Sequence, residues 1–413
     1  DDVRPRDATR GMVIGAGPMG GGIAMNFANA GIPVTIVEVD RDSLDAGLAK
    51  VERNYRATVD KGRLDADEMR ARMERISGAL DYDAAAAADV VIEAVFEDMA
   101  LKQEVFGRLD KAAGPDAVLA TNTSTLDVDE IARATSRPAS VVGMHFFSPA
   151  NVMKLLEVVR GEQTSDEALV TAIALGRRMG KIPVVVGVCD GFVGNRMFHA
   201  YTREASYLLE EGALPRQVDR AMTEFGFAMG PFAVSDLAGL DVGYRIRQAQ
   251  APTRDPDERY PEIADRIVEM GRLGQKSGAG FYRYAEGSRD PEPDPEIEQL
   301  IVDLSAEQDR QRRDIDDDEI RERLLYQLVN EGAQILDEGI AQRSSDIDVI
   351  YVYGYGFPAH QGGPLFHAGL VGLDRVLASM RRYHDQHGKV WAPAPLLVRL
   401  AEQGQTFEQH ERL

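Results

Sequence analysis

A histidine and a glutamate in the segment GMHFFSPANVMKLLEVVRG have the types and spacing needed for acid–base chemistry. His145 stands near the end of an apolar, β-rich run at residues 141–147, and Glu157 lies inside the next run, at residues 155–159. A Pro-Ala-Asn turn reverses the chain between them, and each residue lies six positions from Asn151. Pairing of the two runs as strands would therefore place both side chains opposite each other on one face.

Such a pair has a chemical and a structural interpretation. A carboxylate beside an imidazole fixes the tautomer of the ring and stabilises its protonated form, which suits a general base. The alternative for His145 and Glu157 is a core histidine that is satisfied by an edge glutamate and does no chemistry. The remainder of the sequence favours the chemical interpretation.

Strands and helices alternate around this pair. Strand-like runs stand at residues 11–15, 33–39, 89–96, 117–123, 140–147 and 183–188. Helical periodicity between them is found at residues 43–61, 65–76 and 99–113. Alternation of this kind implies a mostly parallel sheet with helices on both faces. We therefore predict an α/β Rossmann-type domain over residues 1–188.

The turn Gly15-Ala-Gly17-Pro-Met-Gly20 follows the first strand-like run and opens a helix. Gly15 permits the tight turn, Gly17 lets the backbone approach a pyrophosphate, and Gly20 allows close packing of helix on strand. Glu38 ends the second strand and could accept hydrogen bonds from an adenosine ribose. Its carboxylate would repel a 2′-phosphate, so NAD is favoured over NADP. The competing acid, Asp40, suits the N-cap of the next helix, and the alternative for the whole unit is a βαβ fold that binds another ligand.

Polar residues also follow the strands at the edge where open α/β sheets bind ligands. Glu97 and, one helical turn later, Lys102 follow the third strand-like run, whereas Ser124 follows the fourth. Taken alone, Ser124 is better interpreted as a cap. Asn195, in DGFVGNRM, lies just inside the first helix of the next domain. An asparagine facing the sheet from there would lie at a domain interface, which is a common place for substrate sites.

From residue 190 onward the pattern changes to helices alone. The charged, proline-rich segment EGSRDPEPDP at residues 286–295 suits an exposed linker. The halves on either side of it share two blocks in the same order: REASYLLEEG (203–212) with NEGAQILDEG (330–339), and MGPFAVSDLAGLD (229–241) with GGPLFHAGLVGLD (362–374). Duplication explains two ordered matches better than chance similarity between helices. We predict two tandem all-helical domains, at residues 189–290 and 296–413.

The composition narrows the class of function. Among 413 residues, 44% are hydrophobic, and no apolar run approaches the ~18 residues that a membrane span needs. The net charge of −21 argues against a nucleic-acid partner, because no basic face is available to neutralise phosphates. Cys189 is the only cysteine, so we predict no internal disulfide framework, no multi-cysteine metal site and a reducing cytoplasm as the simplest setting. Its place after an apolar run favours a small buried hydrophobe over a nucleophile.

The chain closely resembles the L-3-hydroxyacyl-CoA dehydrogenase family of fatty-acid β-oxidation. The resemblance rests on GAGPMGGGIA, IEAVFED, TNTSTL, GMHFFSPANVMKLLEVV, DGFVGNRM, MGPF and GQKSGAGFY, which occur in the family's order between position 12 and about position 284. The duplicated half, with YGYGFPAHQGGP at residues 353–364, resembles the dehydrogenase portion of the multifunctional β-oxidation proteins. Those proteins usually carry an enoyl-CoA hydratase half upstream. This sequence begins about a dozen residues before the glycine-rich turn, so we expect no hydratase activity from it.

The resemblance implies a role for each matching residue. His145 would be the general base that removes the proton of the 3-hydroxyl, and Glu157 would orient it and stabilise the imidazolium. Ser124 and Asn195 would position the hydroxyl and thioester oxygens of the substrate. The family often has asparagine where this chain has Ser148, so no contact is assigned to that serine. The residues that would hold NAD are Gly15, Gly17, Gly20 and Glu38 at the adenosine diphosphate, with Glu97 and Lys102 near the nicotinamide ribose.

The resemblance also implies a reaction and partners. The expected reaction is NAD-dependent oxidation of an (S)-3-hydroxyacyl-CoA to the 3-oxoacyl-CoA, with a hydratase domain or a thiolase subunit as partner. Single-copy members dimerise through their helical domain, so two tandem copies would satisfy that interface within a monomer. The second copy would then be a scaffold, and its His360 and His367 would be structural.

Two alternatives stay open. One is a dinucleotide-binding protein without catalysis, against which the intact set of Ser124, His145, Glu157 and Asn195 argues. The other is a dehydrogenase that acts on a 3-hydroxy acid without CoA, whose families resemble this chain much less over HFFSPANVMKLLEVV.

Overall fold

The computed structural model describes residues 3–255 and 259–410. Their contacts divide the chain into two units. The first unit holds the residues up to 195 together with residues 335–355, and the second holds residues 196–334 and those from 356 onward. Segment 335–355, which lies in the predicted second helical copy, therefore folds with the first unit.

An eight-stranded sheet forms the centre of the first unit. Its strands are β1 Gly11–Ile14, β2 Val34–Val37, β3 Ile76–Ala79, β4 Val90–Glu93, β5 Val118–Thr121, β6 Val141–Phe146, β7 Leu155–Arg160 and β8 Ile182–Gly187. They lie in the order β3-β2-β1-β4-β5-β6-β7-β8. Strands β1 to β6 are parallel, whereas β7 is antiparallel to β6 and parallel to β8. The mostly parallel sheet is confirmed.

Apolar side chains from strands and helices together fill the core of this unit. The helices that precede residue 194 are α1 Pro18–Asn29, α2 Arg41–Asp60, α3 Ala66–Glu74, α4 Met99–Ala112, α5 Val128–Ala132 and α6 Asp166–Arg178. Val13 and Ile92, on neighbouring strands, are fully buried in one cluster with Phe27 of α1 and Leu175 of α6. Near-continuous apolar strands of this kind are typical of a sheet that helices cover on both faces.

Strand β3 corrects one expectation. The sequence predicts a helix to residue 76, but α3 ends at Glu74 and Ile76 begins β3. The new strand pairs in parallel with β2, from Val34↔Ile76 onward. Its Ser-Gly-Ala sequence has little strand propensity of its own, so pairing with β2 determines its conformation. The predicted end of this helix is wrong.

Helices make up the second unit, as the pattern after residue 190 predicts. The helices that follow α6 are α7 Gly194–Glu211, α8 Pro215–Phe225, α9 Pro231–Ala238, α10 Leu240–Gln250, α11 Ile263–Glu269, α12 Pro295–Glu307, α13 Asp317–Asp337, α14 Ser344–Gly354, α15 Pro364–Val371, α16 Leu373–His387, α17 Pro395–Glu402 and α18 Phe407–His410. Helix α14 lies within the first unit, and α7 and α13 each have residues in both. Single 3-10 turns stand at Asp83–Ala87, Pro138–Ser140, Ala251–Thr253, Gln275–Ser277, Ala359–Gln361 and Lys389–Trp391. A Rossmann-type domain followed by helical structure is confirmed.

The predicted linker is more ordered than its composition suggests. Two short strands, β9 Tyr282–Arg283 and β10 Glu292–Pro293, pair in antiparallel fashion across it. Asp294 is buried, and its carboxylate accepts hydrogen bonds from Arg272 and Arg283. Residues 286–293 are otherwise mostly exposed, as expected.

The repeated sequence blocks fall on matching elements. The first block lies in α7 and in α13, and the second spans α9–α10 and α15–α16. The glycine between the paired helices has nearly the same backbone in each copy, with φ 96° and ψ 117° at Gly239 and φ 99° and ψ 120° at Gly372. In the second copy, His367 packs edge-on against Phe225, with ring centroids 5.1 Å apart, and burial lowers its pKa. Aromatic surroundings that keep the imidazole uncharged are typical of a structural histidine.

Candidate active site

His145 and Glu157 meet at the carboxyl end of β6. The antiparallel register of β6 and β7 places them directly opposite each other. Nδ1 of His145 lies 2.7 Å from Oε2 of Glu157, and the two residues are 5% and 0% exposed. The aromatic rings of Phe147 and Phe192 flank the imidazole, with centroids 4.4 and 5.7 Å away. The cross-strand pairing that the sequence predicts is confirmed.

Both carboxylate oxygens of Glu157 are engaged. Oε1 accepts the backbone N–H of Gly194 at 2.9 Å, while Oε2 faces His145. An ionised carboxylate can only accept, so the hydrogen of a neutral imidazole lies on Nδ1. Nε2 then carries the lone pair that a general base requires.

A buried lysine holds the turn between β6 and β7. Nζ of Lys181 donates to the carbonyl oxygens of Ala150 and Met153 at 2.6 and 2.7 Å, and the amide of Asn26 also donates to Ala150. Burial lowers the pKa of Lys181 to about 8. The turn that sets the register of the pair is therefore fixed by side chains from elsewhere in the fold, which the sequence pattern did not indicate.

Asn195 follows Gly194 at the start of α7 and reaches two other segments of the first unit. Its Oδ1 lies 2.7 Å from the hydroxyl of Tyr355, and its Nδ2 donates to the carbonyl oxygen of Ser124 at 3.4 Å. The contacts therefore run from Ser124 through Asn195 and Gly194 to Glu157. Tyr355 was not among the residues that the sequence singles out.

Glu97 anchors the loop that carries Ser124. Its Oε1 accepts hydrogen bonds from the hydroxyl of Thr123 and from the backbone and hydroxyl of Ser124. Burial opposes the charge of Glu97, but the ammonium of Lys102 and these hydrogen bonds together lower its pKa below the usual range. Glu97 is therefore an ionised acceptor that shapes this edge of the sheet.

Lys102 is buried rather than facing open space. It is 1% exposed, and its Nζ lies 2.7 Å from Glu93 and 3.3 Å from Glu97. Glu93, fully buried at the end of β4, also accepts from the hydroxyl of Thr121. Sequence reasoning missed Glu93, although an acid inside the apolar run VVIEAV was a visible signal for a buried charge pair.

The glycine-rich turn has the shape that a dinucleotide needs. Gly15 has φ 101°, and a Cβ there would lie 2.7 Å from the carbonyl oxygen of Ala94. A Cβ at Gly20 would lie 1.9 Å from the carbonyl oxygen of Gly15, so helix and strand are in direct contact. A Cβ at Gly17, by contrast, would meet nothing within 4 Å. Gly17 is the N-cap of α1, whose first turn has no acidic residue, so open space and backbone N–H groups meet where a pyrophosphate would bind.

Glu38 follows β2 and contacts the backbone of the glycine-rich turn. Its Oε1 accepts the N–H of Ala16 at 2.8 Å, and its Oε2 accepts the N–H of Val39 at 2.9 Å. Val39, the residue after Glu38, is 87% exposed and offers an apolar surface for an adenine ring beside the carboxylate. These residues fit an adenosine moiety. Asp40 caps α2 by accepting the N–H of Ser43, as predicted.

The described residues offer neither a metal cluster nor a membrane-spanning helix. Among residues 3–255 and 259–410, no group of three or more His, Cys, Asp or Glu could hold a metal ion. Within the same ranges, no helix is long and apolar enough to cross a membrane.

Family models match most of the chain. The model of the 3-hydroxyacyl-CoA dehydrogenase NAD binding domain matches residues 12–189. The model of the 3-hydroxyacyl-CoA dehydrogenase C-terminal domain matches residues 191–284 and again residues 320–412, the two halves that carry the repeated blocks.

Named proteins resemble the chain over nearly its whole length. The peroxisomal bifunctional enzyme of Danio rerio is 46% identical over 98% of this chain and 58% of its own length. The chain therefore spans somewhat more than half of that relative. The crystal structure of 3-hydroxybutyryl-CoA dehydrogenase from Escherichia coli K12 superposes with a TM-score of 0.85 at 26% identity, over 97% of this chain and 99% of that one. The dehydrogenase part of multifunctional enzyme 1 from C. elegans gives a TM-score of 0.70 at 30% identity, over 96% and 90%.

These matches agree with the geometry of the site. The glycine-rich turn and Glu38 fall within the match to the NAD-binding model, which confirms NAD as the cofactor. The match to the dehydrogenase part of a multifunctional enzyme covers both units. The chain belongs to the 3-hydroxyacyl-CoA dehydrogenase family and corresponds to the dehydrogenase portion of its multifunctional members.

Proposed function

We propose that the chain oxidises (S)-3-hydroxyacyl-CoA to 3-oxoacyl-CoA with NAD, as a step of fatty-acid β-oxidation. The observation that carries the proposal is the buried pair of His145 and Glu157, whose Nδ1 and Oε2 atoms lie 2.7 Å apart. This pair stands at the carboxyl end of β6, the edge of the sheet where the NAD-binding turn also lies. A base beside the cofactor is what oxidation of an alcohol requires.

The proton moves to His145. Glu157 holds the hydrogen on Nδ1, so Nε2 accepts the proton of the 3-hydroxyl and the O–H bond breaks. The buried carboxylate stabilises the imidazolium that forms. Negative charge on the 3-oxygen then drives hydride from C3 as the C=O bond forms. When bound, NAD supplies the acceptor for that hydride.

Asn195 and Ser124 hold the substrate oxygens in this proposal. Nδ2 of Asn195 has one N–H left after its bond to Ser124, and the hydroxyl of Ser124, which donates to Glu97, can rotate to donate to a substrate oxygen instead. Donors aimed at an oxygen that gains negative charge stabilise the transition state more than the ground state. The rings of Phe147 and Phe192 exclude water from His145, which strengthens its interaction with Glu157.

NADH consumption tests the reaction and separates it from the alternatives. We expect the chain to oxidise NADH with acetoacetyl-CoA and with longer 3-oxoacyl-CoAs, and to act poorly on free acetoacetate. Binding of NADH without turnover of any 3-oxoacyl-CoA would indicate a silent dinucleotide-binding protein. Equal turnover of acetoacetate would indicate a dehydrogenase that does not depend on CoA.

A hydratase domain or a thiolase subunit is the proposed partner. The Danio rerio relative is bifunctional by name, and this chain matches 58% of it. An enoyl-CoA with NAD should therefore give NADH with this chain when an enoyl-CoA hydratase is present. No NADH in that mixture would contradict the proposed partner.

The three-domain organisation, with helical copies at residues 189–290 and 296–413, is proposed to make the chain a monomer. Within the second unit the two copies are in direct contact. The guanidinium of Arg323, fully buried, pairs with Glu204 and Glu211 of the first copy, with its Nε 2.6 Å from Glu204. The N–H of Arg313 donates to the carbonyl of Glu211. These contacts support a pseudo-dimer within one chain.

Truncation after about residue 285 tests this organisation. It uncovers the surface around Glu204 that Arg323 and its neighbours cover. We expect the full chain to be monomeric in light scattering and the truncated chain to form dimers or aggregates. A dimeric full chain, or a truncated chain that is monomeric and fully active, would contradict the proposal.

The compartment is proposed to be one that keeps thiols reduced, the cytoplasm being the expectation from the single cysteine. The Danio rerio relative is peroxisomal by name, which differs from that expectation. Fluorescence microscopy of the tagged protein in its own cells separates the two settings, since a punctate signal would exclude the cytoplasm.

A further inference from the structure

A tyrosine from the second helical copy contacts the candidate active site. We infer that Tyr355 is a positioning residue for Asn195, which determines that the amide presents its NH₂ group, and not its carbonyl, to the substrate. The inference rests on the proposed function, in which Asn195 contacts a substrate oxygen. With this role for Tyr355, the second helical copy contributes to catalysis as well as acting as a scaffold.

The ring of Tyr355 is held by packing. The residue follows α14 and lies within the first unit. Its ring packs edge-on against Phe147 with centroids 5.7 Å apart, and it stacks on Tyr351 at 4.9 Å. Its hydroxyl lies 2.7 Å from Oδ1 of Asn195. The direction of the hydroxyl is therefore set by two aromatic neighbours, one of which also contacts His145.

Gly194 allows the tyrosine to come this close. A Cβ at this position would lie 2.5 Å from Cε2 and 2.6 Å from Oη of Tyr355. The hydroxyl of Tyr351 donates to the carbonyl oxygen of Gly194 at 3.3 Å, and the N–H of Gly194 donates to Glu157. The backbone that precedes Asn195 is thus in contact with both tyrosines and with the catalytic pair. This contact explains why the second glycine of DGFVGNRM, Gly194, cannot be a larger residue.

The hydrogen bonds to Tyr355 and to Ser124 together fix the orientation of the amide. Burial, and to a lesser degree the charge of Glu157, raise the pKa of Tyr355 well above its usual value. The phenol keeps its proton, and the carbonyl oxygen of Ser124 can only accept, so Nδ2 faces Ser124 and the phenol donates to Oδ1. Nδ2 then lies on the other side, where one N–H donates to Ser124.

The second N–H of this amide is the group offered to a substrate oxygen. An amide and its flipped form have nearly the same shape, so neighbouring hydrogen bonds alone decide between them. Without the hydroxyl of Tyr355, Asn195 can turn its carbonyl toward the oxygen that gains negative charge. A misdirected donor weakens the transition state more than it weakens substrate binding.

Tyr355→Phe removes the hydroxyl and keeps the ring. Turnover of acetoacetyl-CoA is measured in the full-length protein, together with the KM for NADH and the melting temperature. We expect kcat to fall about 10-fold while the KM for NADH stays within twofold. The matched control is Tyr55→Phe, because the hydroxyl of Tyr55 lies 2.8 Å from Oδ1 of Asn29 and joins α2 to α1. The control should lower the melting temperature and leave kcat within twofold.

A double-variant cycle shows whether the effect passes through Asn195. Asn195→Ala should lower kcat about 100-fold, and adding Tyr355→Phe to it should lower kcat no further. Additive losses, or equal losses of kcat in Tyr355→Phe and in the Tyr55→Phe control, would overturn the assignment. Wild-type turnover is measured first, since its absence would overturn the proposed function and the role of Tyr355 together.

Discussion

Glutamine in place of Glu157 tests how much of the catalysis depends on one buried carboxylate. The carboxylate uses both oxygens, one at 2.7 Å from Nδ1 of His145 and the other at 2.9 Å from the N–H of Gly194. Glutamine keeps the shape but has only one oxygen, so either His145 or Gly194 must face an NH₂ group. If His145 does, its Nδ1 becomes the acceptor and the ring hydrogen moves to Nε2. That nitrogen could then no longer accept the proton of the substrate.

The loss of charge alone sets the size of the effect. Two unit charges about 4 Å apart attract each other by ~4 kcal/mol at an effective dielectric constant near 20. Glu157→Gln loses this attraction when the imidazolium forms, so the barrier rises by about 4 kcal/mol. A barrier higher by that amount lowers kcat about 10³-fold. The wrong tautomer can only add to the loss.

Initial rates of NADH oxidation at saturating acetoacetyl-CoA measure this loss, and fluorescence titration measures NADH affinity. We expect kcat of Glu157→Gln to fall about 10³-fold and the Kd for NADH to change less than twofold. Glu210→Gln is the matched control, because Glu210 is 1% exposed and pairs with Arg259 at 2.7 Å in the second unit. It should lower stability but leave kcat within twofold. A kcat within tenfold of the wild type in Glu157→Gln would refute the reasoning, as would an equal loss in the control.

Two further variants test cofactor choice and the ionic contact between the helical copies. Glu38→Ala should weaken NAD binding about 10-fold and narrow the preference for NAD over NADP, measured as Kd values; a wild type that uses both cofactors equally would contradict this role. Burial would raise the pKa of Glu211, but hydrogen bonds and charges from Arg323 and Arg259 lower it to about 2, against an ordinary value of 4.5. The stabilisation by Glu211 is therefore full above pH 4.5 and is lost as the pH falls toward 2. Glu211→Gln should cost about 3 kcal/mol in urea unfolding at pH 7 and much less near pH 2, and an equal cost at both would contradict the assignment.

Local spacing was enough to predict the central pair. Six residues on either side of Asn151 determine which side chains meet when the chain reverses, and the alternation of a strand keeps them on one face. His145 and Glu157 accordingly pair in β6 and β7. The glycine-rich turn was equally predictable, because each of its glycines meets a steric requirement within the same short βαβ unit.

The sequence pattern could not predict contacts between segments that are distant along the chain. Tyr355 meets Asn195 across 160 positions of the chain, and nothing in YGYGFPAHQGGP indicates which segment of the protein it contacts. Residues 76–79 form strand β3 through backbone pairing with β2, which their own sequence does not predict. The place of Lys102 near the cofactor stays a prediction, whereas its burial depends on Glu93, whose side chain is placed by the strand order of the sheet. In each case the partner is determined by tertiary packing, which periodicity and motifs do not encode.

Replacement of His145 tests the central claim most directly, because this histidine is assigned the one proton transfer that the reaction cannot avoid. His145→Gln keeps a polar side chain of similar size beside Glu157 but has no group that can take up a proton at neutral pH. The account predicts that wild-type protein oxidises NADH with acetoacetyl-CoA, and that the variant binds NADH with the same Kd while its kcat falls at least ~10²-fold. Comparable turnover by the variant would remove His145 from the mechanism and contradict the account.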